Sequence, residues 1–195
     1  MKYILLSIRP EWCHKLMNGD KETEVRRGTA LYNAIDKLIK EQGKAPCLIY
    51  CTKLVPYGRG CMYDEVAKKY MSTFCNDGKE LPNLTGRIVA QFEASAEIIH
   101  PKEIYGGETF GGLSEVTDLD YETDTLGASE LLKRSCLTDE QIADYLTDYD
   151  INLPIFGTAI HVKPGTMRTD GFPKELKDYG IKRAPQSWCY AEVRE

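Results

Sequence analysis

A charged segment following a short predicted helix holds the side chains best suited to chemistry. Lys21 lies at a turn, and Glu24, Arg26 and Arg27 follow it closely. Ammonium and guanidinium groups bind phosphate oxygens, whereas a lysine removed from water can act as a base or a nucleophile. Side chains alternate along a strand, so Glu24 and Arg26 share one face and Thr23 lies on the other. This segment predicts either a binding or catalytic site, or a solvated face of a sheet.

Three predicted elements position these charged residues. Residues 2–8 are apolar and β-favouring, which predicts a buried strand. Pro10 suits the first position of a helix, and Asn18-Gly19 tolerates the left-handed conformation that ends one. Residues 22–27 then alternate as a strand does. Trp12 lies on the apolar stripe of the helix, which favours a place in the core over stacking on a base.

The rest of the chain mixes strands and short helices without a regular repeat. Apolar, alternating runs predict strands at 46–52, 86–99, 154–163 and in the second half of 183–193. The run at 46–52 is dense enough in apolar residues to be a central strand, and the alternating core-facing residues of the second run are Ile88, Ala90, Phe92 and Ala94. Thr138 with Gln141 three residues later predicts a capping box at the start of a helix, and the glycine-rich residues 101–125 predict a loop or a weakly ordered insertion. No Gly-x-Gly-x-x-Gly motif follows the first strand, which disfavours a doubly wound parallel sheet. We therefore expect an α+β fold, with a mixed, partly closed β-barrel of five to six strands and peripheral helices.

The loop at residues 53–60 offers a second set of candidate binding residues. It combines Lys53, Tyr57 and Arg59 with glycine and proline. A cation beside an aromatic ring can contact a phosphate or stack on a base. The alternative, which this turn-rich composition favours, is a simple turn with a packed tyrosine.

Charge is distributed unevenly along the 195 residues. The net charge is −5, but residues 108–150 hold twelve acidic residues against Lys133 and Arg134. That segment therefore has a local charge of −10, and the remainder of the chain has a charge of +5. The basic remainder permits nucleic-acid binding, and the acidic segment suits a basic protein partner or a cover over the chain's own basic cleft.

Length and composition indicate one globular domain without a membrane segment. The hydrophobic fraction is 42% and the charged fraction is 28%, both typical of globular proteins. No apolar run approaches the roughly 18 residues that span a bilayer. The apolar run that ends before Arg9 is too short for a signal peptide. We therefore expect a cytoplasmic protein with no membrane partner.

Neither the seven cysteines nor the three histidines follow a recognised metal-binding pattern. Irregularly spaced cysteines suit a reducing compartment, where they act as small apolar residues. His14, His100 and His161 are widely separated and form no metal pair or Cys-His dyad. We expect no metal and no cofactor. Four cysteines come nearest to a zinc site but match no compact ligand spacing: Cys47, Cys51, Cys61 and Cys75.

Both ends of the sequence resemble the ASCH family of the PUA-like superfamily. Residues 6–11 and 18–27 are similar to the family's opening strand, its proline-started helix, its Gly-x-Lys turn and the following strand that ends in arginine. Residues 183–190 resemble the ending of bacterial and phage-type members. Three intervening segments are similar to family strands in the same order: 50–53, 86–90 and 156–160.

The resemblance implies a single PUA-like domain over residues 1–195, with insertions near 62–84 and 108–125. It implies a cleft for RNA or a nucleotide-like small molecule, and a regulatory role in translation or transcription is one expectation. The residues expected to bind the nucleic acid are Arg9, Lys21, Arg26, Arg27, Lys53, Tyr57, Arg59, Gln186 and Ser187.

Some ASCH members hydrolyse acylated cytidine nucleosides, and others act as ribonucleases. In the amidohydrolase type the Gly-x-Lys lysine is catalytic, a threonine three residues later is its partner, and a later glutamate assists. Lys21 matches that lysine, but Glu24 stands at the threonine position. Thr23 cannot substitute simply, because a shift of one residue moves a side chain to the opposite face of a strand. No later carboxylate can be assigned to the third role.

Three functions therefore remain open. The leading one is non-enzymatic binding of RNA or a nucleotide. The second is a hydrolase, either an amidohydrolase acting on modified cytidine nucleosides or a ribonuclease, with Lys21 as base and Glu24 as its acid/base partner. The third is a protein-interaction domain that uses the acidic segment 108–150. Burial of Lys21 decides between binding and catalysis, because only a desolvated lysine is a strong base at neutral pH.

Overall fold

A computed structural model describes residues 1–52, 85–101, 121–148 and 153–193 of the chain. The fold is α+β, and six longer strands contribute to one mixed sheet. Within the described ranges that sheet follows an open path rather than a closed circuit. The strands are β1 (Lys2–Ile8), β2 (Thr23–Arg27), β3 (Ala45–Cys51), β4 (Arg87–Pro101), β5 (Tyr121–Glu122), β6 (Thr147–Asp148), β7 (Leu153–Pro154), β8 (Gly157–Val162) and β9 (Trp188–Glu192). The helices are α1 (Pro10–Met17), α2 (Ala30–Gln42), α3 (Ala128–Ser135), α4 (Asp139–Tyr145) and a 3₁₀ turn at Leu176–Tyr179.

The chain forms two compact units. Unit 1 comprises Met1–Glu22, Ile35–Ser95 and Val162–Glu195, and unit 2 comprises Thr23–Ala34 and Ala96–His161. The single ASCH domain with two insertions stays a prediction. All of 62–84 and most of 108–125 lie outside the described residues.

The sheet of unit 1 is built around β1. This strand pairs in parallel with β3, placing Ile4 opposite Cys47, and antiparallel with β9, placing Leu5 opposite Cys189. The first part of β4 pairs antiparallel with the other edge of β3. All seven residues of β3 are buried, which confirms the predicted central strand. Burying each large aliphatic side chain contributes about 1.5–3 kcal/mol.

The core-facing residues of β4 match the sequence prediction. Ile88, Ala90, Phe92 and Ala94 are each no more than 1% exposed. The strand is unusually long, at 15 residues. From Arg87 to Ser95 these buried residues occupy every second position, although Val89 between them is also buried, so the period-two pattern was sufficient to identify the inner face of this part of the strand.

Unit 2 combines two pairs of strands with the helices α3 and α4. β2 pairs antiparallel with β8, and the far end of β4 pairs with β5. Thr138 begins α4 with the predicted capping box, in which the Gln141 backbone N–H donates to Thr138 Oγ1 and the Thr138 backbone N–H donates to Gln141 Oε1. The core comprises Val25, Ile99, Tyr121, Leu131, Ile142, Leu146 and Ala159.

The end of the glycine-rich segment differs from its expected loop structure. Tyr121 lies in β5, opposite Pro101, and is only 2% exposed. A single large aromatic ring thus anchors a segment that lacks any strand-like periodicity. None of the described helices is long and apolar enough to cross a membrane.

Candidate functional site

Lys21 is a buried cation of unit 1, with only 2% of its surface exposed. Its Nζ lies 4.6 Å from the centre of the Trp12 ring. Lys15 Nζ lies 4.8 Å from the same ring. The Trp12 ring is half-buried, so it contacts these ammonium groups rather than forming part of the core. The negative face of the indole stabilises a nearby positive charge.

Local sequence sets the position of Lys21. α1 ends at Asn18, and Gly19 adopts a φ of +84°, which glycine reaches without strain. The Asn18 side-chain amide donates to Asp20 Oδ2 at 2.7 Å, and the Asp20 backbone N–H donates to Asn18 Oδ1 at 3.2 Å. The Lys21 backbone N–H then donates to the Lys15 carbonyl at 2.9 Å. The tight turn thereby directs the chain back along α1.

The end of β1 brings three predicted binding residues into one neighbourhood of unit 1. The Ser7 backbone N–H donates to the Ser187 carbonyl at 2.8 Å, and Ser7 Oγ donates to the Pro185 carbonyl at 2.7 Å. Ser187 and its neighbour Gln186 are exposed there, and Arg9 is exposed two residues beyond Ser7.

The charged face of β2, in unit 2, is not a solvated surface. The side chains of Glu24 and Arg26 are 8% and 14% exposed, and Arg26 Nη2 lies 2.9 Å from Glu24 Oε1. Burial of a charged side chain requires such a partner, so the solvated-face interpretation is wrong. Arg27 is exposed, and its Nη2 donates to the Thr147 carbonyl at 3.0 Å. The predicted acid/base role of Glu24 stays a prediction.

A second polar cluster of unit 2 links three strands through His161. Thr23 Oγ1 lies 2.9 Å from His161 Nδ1, because the antiparallel register places these residues opposite each other. On the other side of the ring, His161 Nε2 lies 3.4 Å from Glu97 Oε1. The Thr125 backbone N–H donates to Glu97 Oε2 at 3.1 Å, and the Thr125 hydroxyl donates to Oε1.

Two pKa shifts, together with the contacts of the ring, indicate where the protons of this cluster lie. Burial raises the pKa of Glu97, but hydrogen bonds from Thr123 and Thr125 outweigh it and hold the pKa below its usual value. Burial lowers the pKa of His161, and the charge of Glu97 offsets this only in part. Ionised Glu97 can only accept, so neutral His161 presents its Nε2–H to Glu97 and accepts from the Thr23 hydroxyl at Nδ1.

The geometry makes this cluster an orienting network rather than a catalytic triad. Thr23 is 0% exposed, and its hydroxyl is engaged with His161 Nδ1. The network instead fixes the His161 ring and its tautomer. Sequence analysis assigned no role to His161 or Glu97, because they are 64 residues apart in sequence. In the sequence, each of these residues is a polar side chain within a predicted strand. Their contact can be recognised only when the pairing of the strands is known.

Several predicted residues cannot be tested against this geometry. Lys53, Tyr57 and Arg59 lie outside the described residues, as do Cys61 and Cys75 of the conceivable zinc site. Cys47 is fully buried, and burial raises the pKa of its thiol, which suits packing. The described residues contain no group of three or more side chains placed to hold a metal ion.

The acidic segment 108–150 is described only over residues 121–148, where it forms β5, α3, α4 and β6. A protein partner at this segment stays a prediction. Comparison of the chain with models of known protein families gives no match, and comparison with curated proteins gives none either.

Proposed function

We propose that the chain is a PUA-like domain of ASCH type that binds RNA or a nucleotide-like ligand, with Lys21 in the ligand site. The observation that carries the proposal is the position of Lys21 Nζ 4.6 Å from the centre of the Trp12 ring, because the negative face of the indole favours the charged, binding form of this lysine. An indole face accepts a base by stacking, and an ammonium in a desolvated setting binds an acceptor oxygen strongly. The resemblance in residues 6–27 and 183–190 supports the ligand class.

Tryptophan fluorescence tests this proposal directly. The chain has two tryptophans, so Trp188→Phe leaves Trp12 as the sole reporter. Titration with nucleosides, nucleoside monophosphates and single-stranded RNA should change its emission. Lys21→Met should weaken binding at least 10-fold, because it removes the buried ammonium and retains most of the stem.

Lys15→Met is the matched control, because Lys15 is less buried than Lys21 and its side chain places the other ammonium beside Trp12. It should change the affinity by less than about 3-fold. The proposal is wrong if none of these ligands binds. It is also wrong if the Lys15 and Lys21 variants lose affinity equally, since that would indicate nonspecific charge.

A hydrolase that uses Lys21 is the second candidate, and the burial of this lysine favours it. Burial disfavours the charged form of an amine, and a neutral amine can act as a base or nucleophile. NMR of protein labelled at the lysine ε-carbon, assigned with Lys21→Arg, measures the pKa directly. A value near that of a free lysine, about 10.4, would contradict this candidate. A value at least two units lower would support it.

Turnover provides an independent test of the hydrolase. Acylated cytidine nucleosides and RNA are the substrates that the resemblance suggests. Lys21→Ala should abolish hydrolysis while the protein remains folded. Hydrolysis that survives in Lys21→Ala would exclude the lysine as the catalytic group.

A further inference from the structure

Three exposed cations lie near the end of β1 and form no ion pair with any residue in the described ranges. Arg9 directly follows β1. Lys182 and Arg183 precede residues 185–187, which are hydrogen-bonded to Ser7 of β1. The hydrogen bond from Ser7 Oγ to the Pro185 carbonyl joins the two stretches. Arg9 and Arg183 are each two residues from one end of that bond, a chain length of at most about 7 Å. Sequence analysis selected neither Lys182 nor Arg183.

Two aromatic residues lie in β9, which follows Lys182 and Arg183 in sequence. The Trp188 and Tyr190 rings meet edge to face, with centroids 5.7 Å apart. Tyr190 is 44% exposed. β9 is the last strand of the sheet path, and no described strand pairs with its outer edge. The rings therefore border an open edge of the sheet.

The acidic residues nearest in sequence to Lys182 and Arg183 have other neighbours. Asp178 accepts a hydrogen bond from the Glu175 backbone at 2.9 Å. Glu175 lies 2.9 Å from both Arg87 Nη1 and Lys177 Nζ. Glu192, at the far end of β9, lies opposite Lys2. These carboxylates leave the positive charge of Lys182 and Arg183 without a described counter-ion.

We propose that this surface binds single-stranded RNA, with Arg9, Lys182 and Arg183 on phosphates and with Trp188 and Tyr190 stacked on bases. Proteins that bind single strands combine a cationic track with aromatic platforms. The exposed polar side chains of Gln186 and Ser187 lie between the cations and the rings in sequence. The proposal rests on the proposed function and extends it from a ligand beside Trp12 to a strand that follows residues 182–190.

Salt-dependent RNA binding tests the cations. The affinity for a fluorescent single-stranded RNA of about 12 nucleotides is measured by anisotropy at several salt concentrations between about 50 and 300 mM. The salt slope for single strands is about 0.7 per phosphate contact, so Lys182→Ala/Arg183→Ala should reduce the slope by about 1.4. Lys37→Ala/Lys40→Ala removes the same charge from α2, where both lysines have ion-pair partners. That control should keep the wild-type slope.

Tyr190→Leu tests the aromatic platform without exposing a cavity, since the ring is substantially exposed. It should weaken RNA binding at least about 5-fold, because loss of one stacked base costs about 1–3 kcal/mol. Its salt slope should match that of the wild type. Trp12→Phe leaves Trp188 as the only tryptophan, and its emission should change when RNA binds.

The outcomes separate this inference from the proposed function. If RNA binds but the variants at Lys182, Arg183 and Tyr190 behave as wild type, this surface is wrong and the proposed function stands. If nucleotides change Trp12 emission but RNA does not bind, the surface is again wrong. Preferential binding to anionic phospholipid vesicles would also overturn it. If neither RNA nor nucleotides bind, both the proposed function and this surface are wrong.

Discussion

Replacing Thr23 with valine should destabilise the protein through one buried hydrogen bond. Valine matches threonine in shape but has no hydroxyl, so the 2.9 Å contact with His161 Nδ1 is lost. Thr23 is 0% exposed, and no water can replace its hydroxyl without rearrangement. On the other side of the ring, Nε2 is buried and forms only the long 3.4 Å contact with Glu97. The valine variant therefore leaves His161 with a buried acceptor and no close partner.

The expected magnitude follows from the cost of an unsatisfied buried polar group, about 1–3 kcal/mol. A chain of this length changes its melting temperature by about 2–4 °C per kcal/mol, so the shift should be about 2–12 °C. Urea titration and thermal melting measure it. Thr169→Val, at an exposed threonine, is the matched control and should change the free energy of unfolding by less than about 0.5 kcal/mol.

A double-mutant cycle identifies the hydrogen bond as the cause. His161→Phe alone leaves the Thr23 hydroxyl buried without its partner. The double variant Thr23→Val/His161→Phe replaces both polar groups by apolar ones, which can be nearly neutral. Its destabilisation should be smaller than the sum of the single variants by about 1 kcal/mol or more. Additive single variants, or a Thr23→Val variant as stable as Thr169→Val, would refute the hydrogen-bond network.

Two further predictions concern pH and packing. The pKa of His161 is lowered on folding, because burial disfavours its charged form; the folded state therefore binds fewer protons, and its stability should fall as pH drops below about 6.5. Chemical unfolding from pH 5 to 8 should show less of this pH dependence in His161→Gln than in the wild-type protein. Gly157→Ala should destabilise by about 1–3 kcal/mol, because a new Cβ would lie 3.0 Å from Cδ2 of the fully buried Leu146 and 3.2 Å from the Arg26 backbone carbonyl. Gly127→Ala, with no atom within 4 Å, should show no such loss in the same unfolding assay.

Local signals were sufficient to predict most of the elements. Pro10 and Asn18-Gly19 marked the ends of α1, and the four alternating apolar residues of β4 identified its inner face. The Thr138 capping box marked the start of α4. Each of these signals acts within a few residues, so it needs no knowledge of the tertiary fold.

The polar interior could not be predicted in the same way. The contact of Thr23 with His161 depends on the pairing of β2 with β8, which a single sequence does not specify. Glu24 and Arg26 resembled an exposed strand face, because alternation identifies two faces without showing which one is covered. Lys21 had no burial signal at all, since lysine at a turn is ordinarily exposed.

The pairing of β1 with β9 also affects how the chain is made. Ser7 bonds to Pro185, which follows it by 178 residues, so a ribosome must synthesise nearly all of the intervening chain before β1 gains this partner. Until then, one edge of the apolar strand β1 is open and can pair with other nascent chains. Premature termination before residue 185 would make that exposure permanent. Such fragments should be removed by chaperones and proteases, so that only completed chains accumulate in folded form.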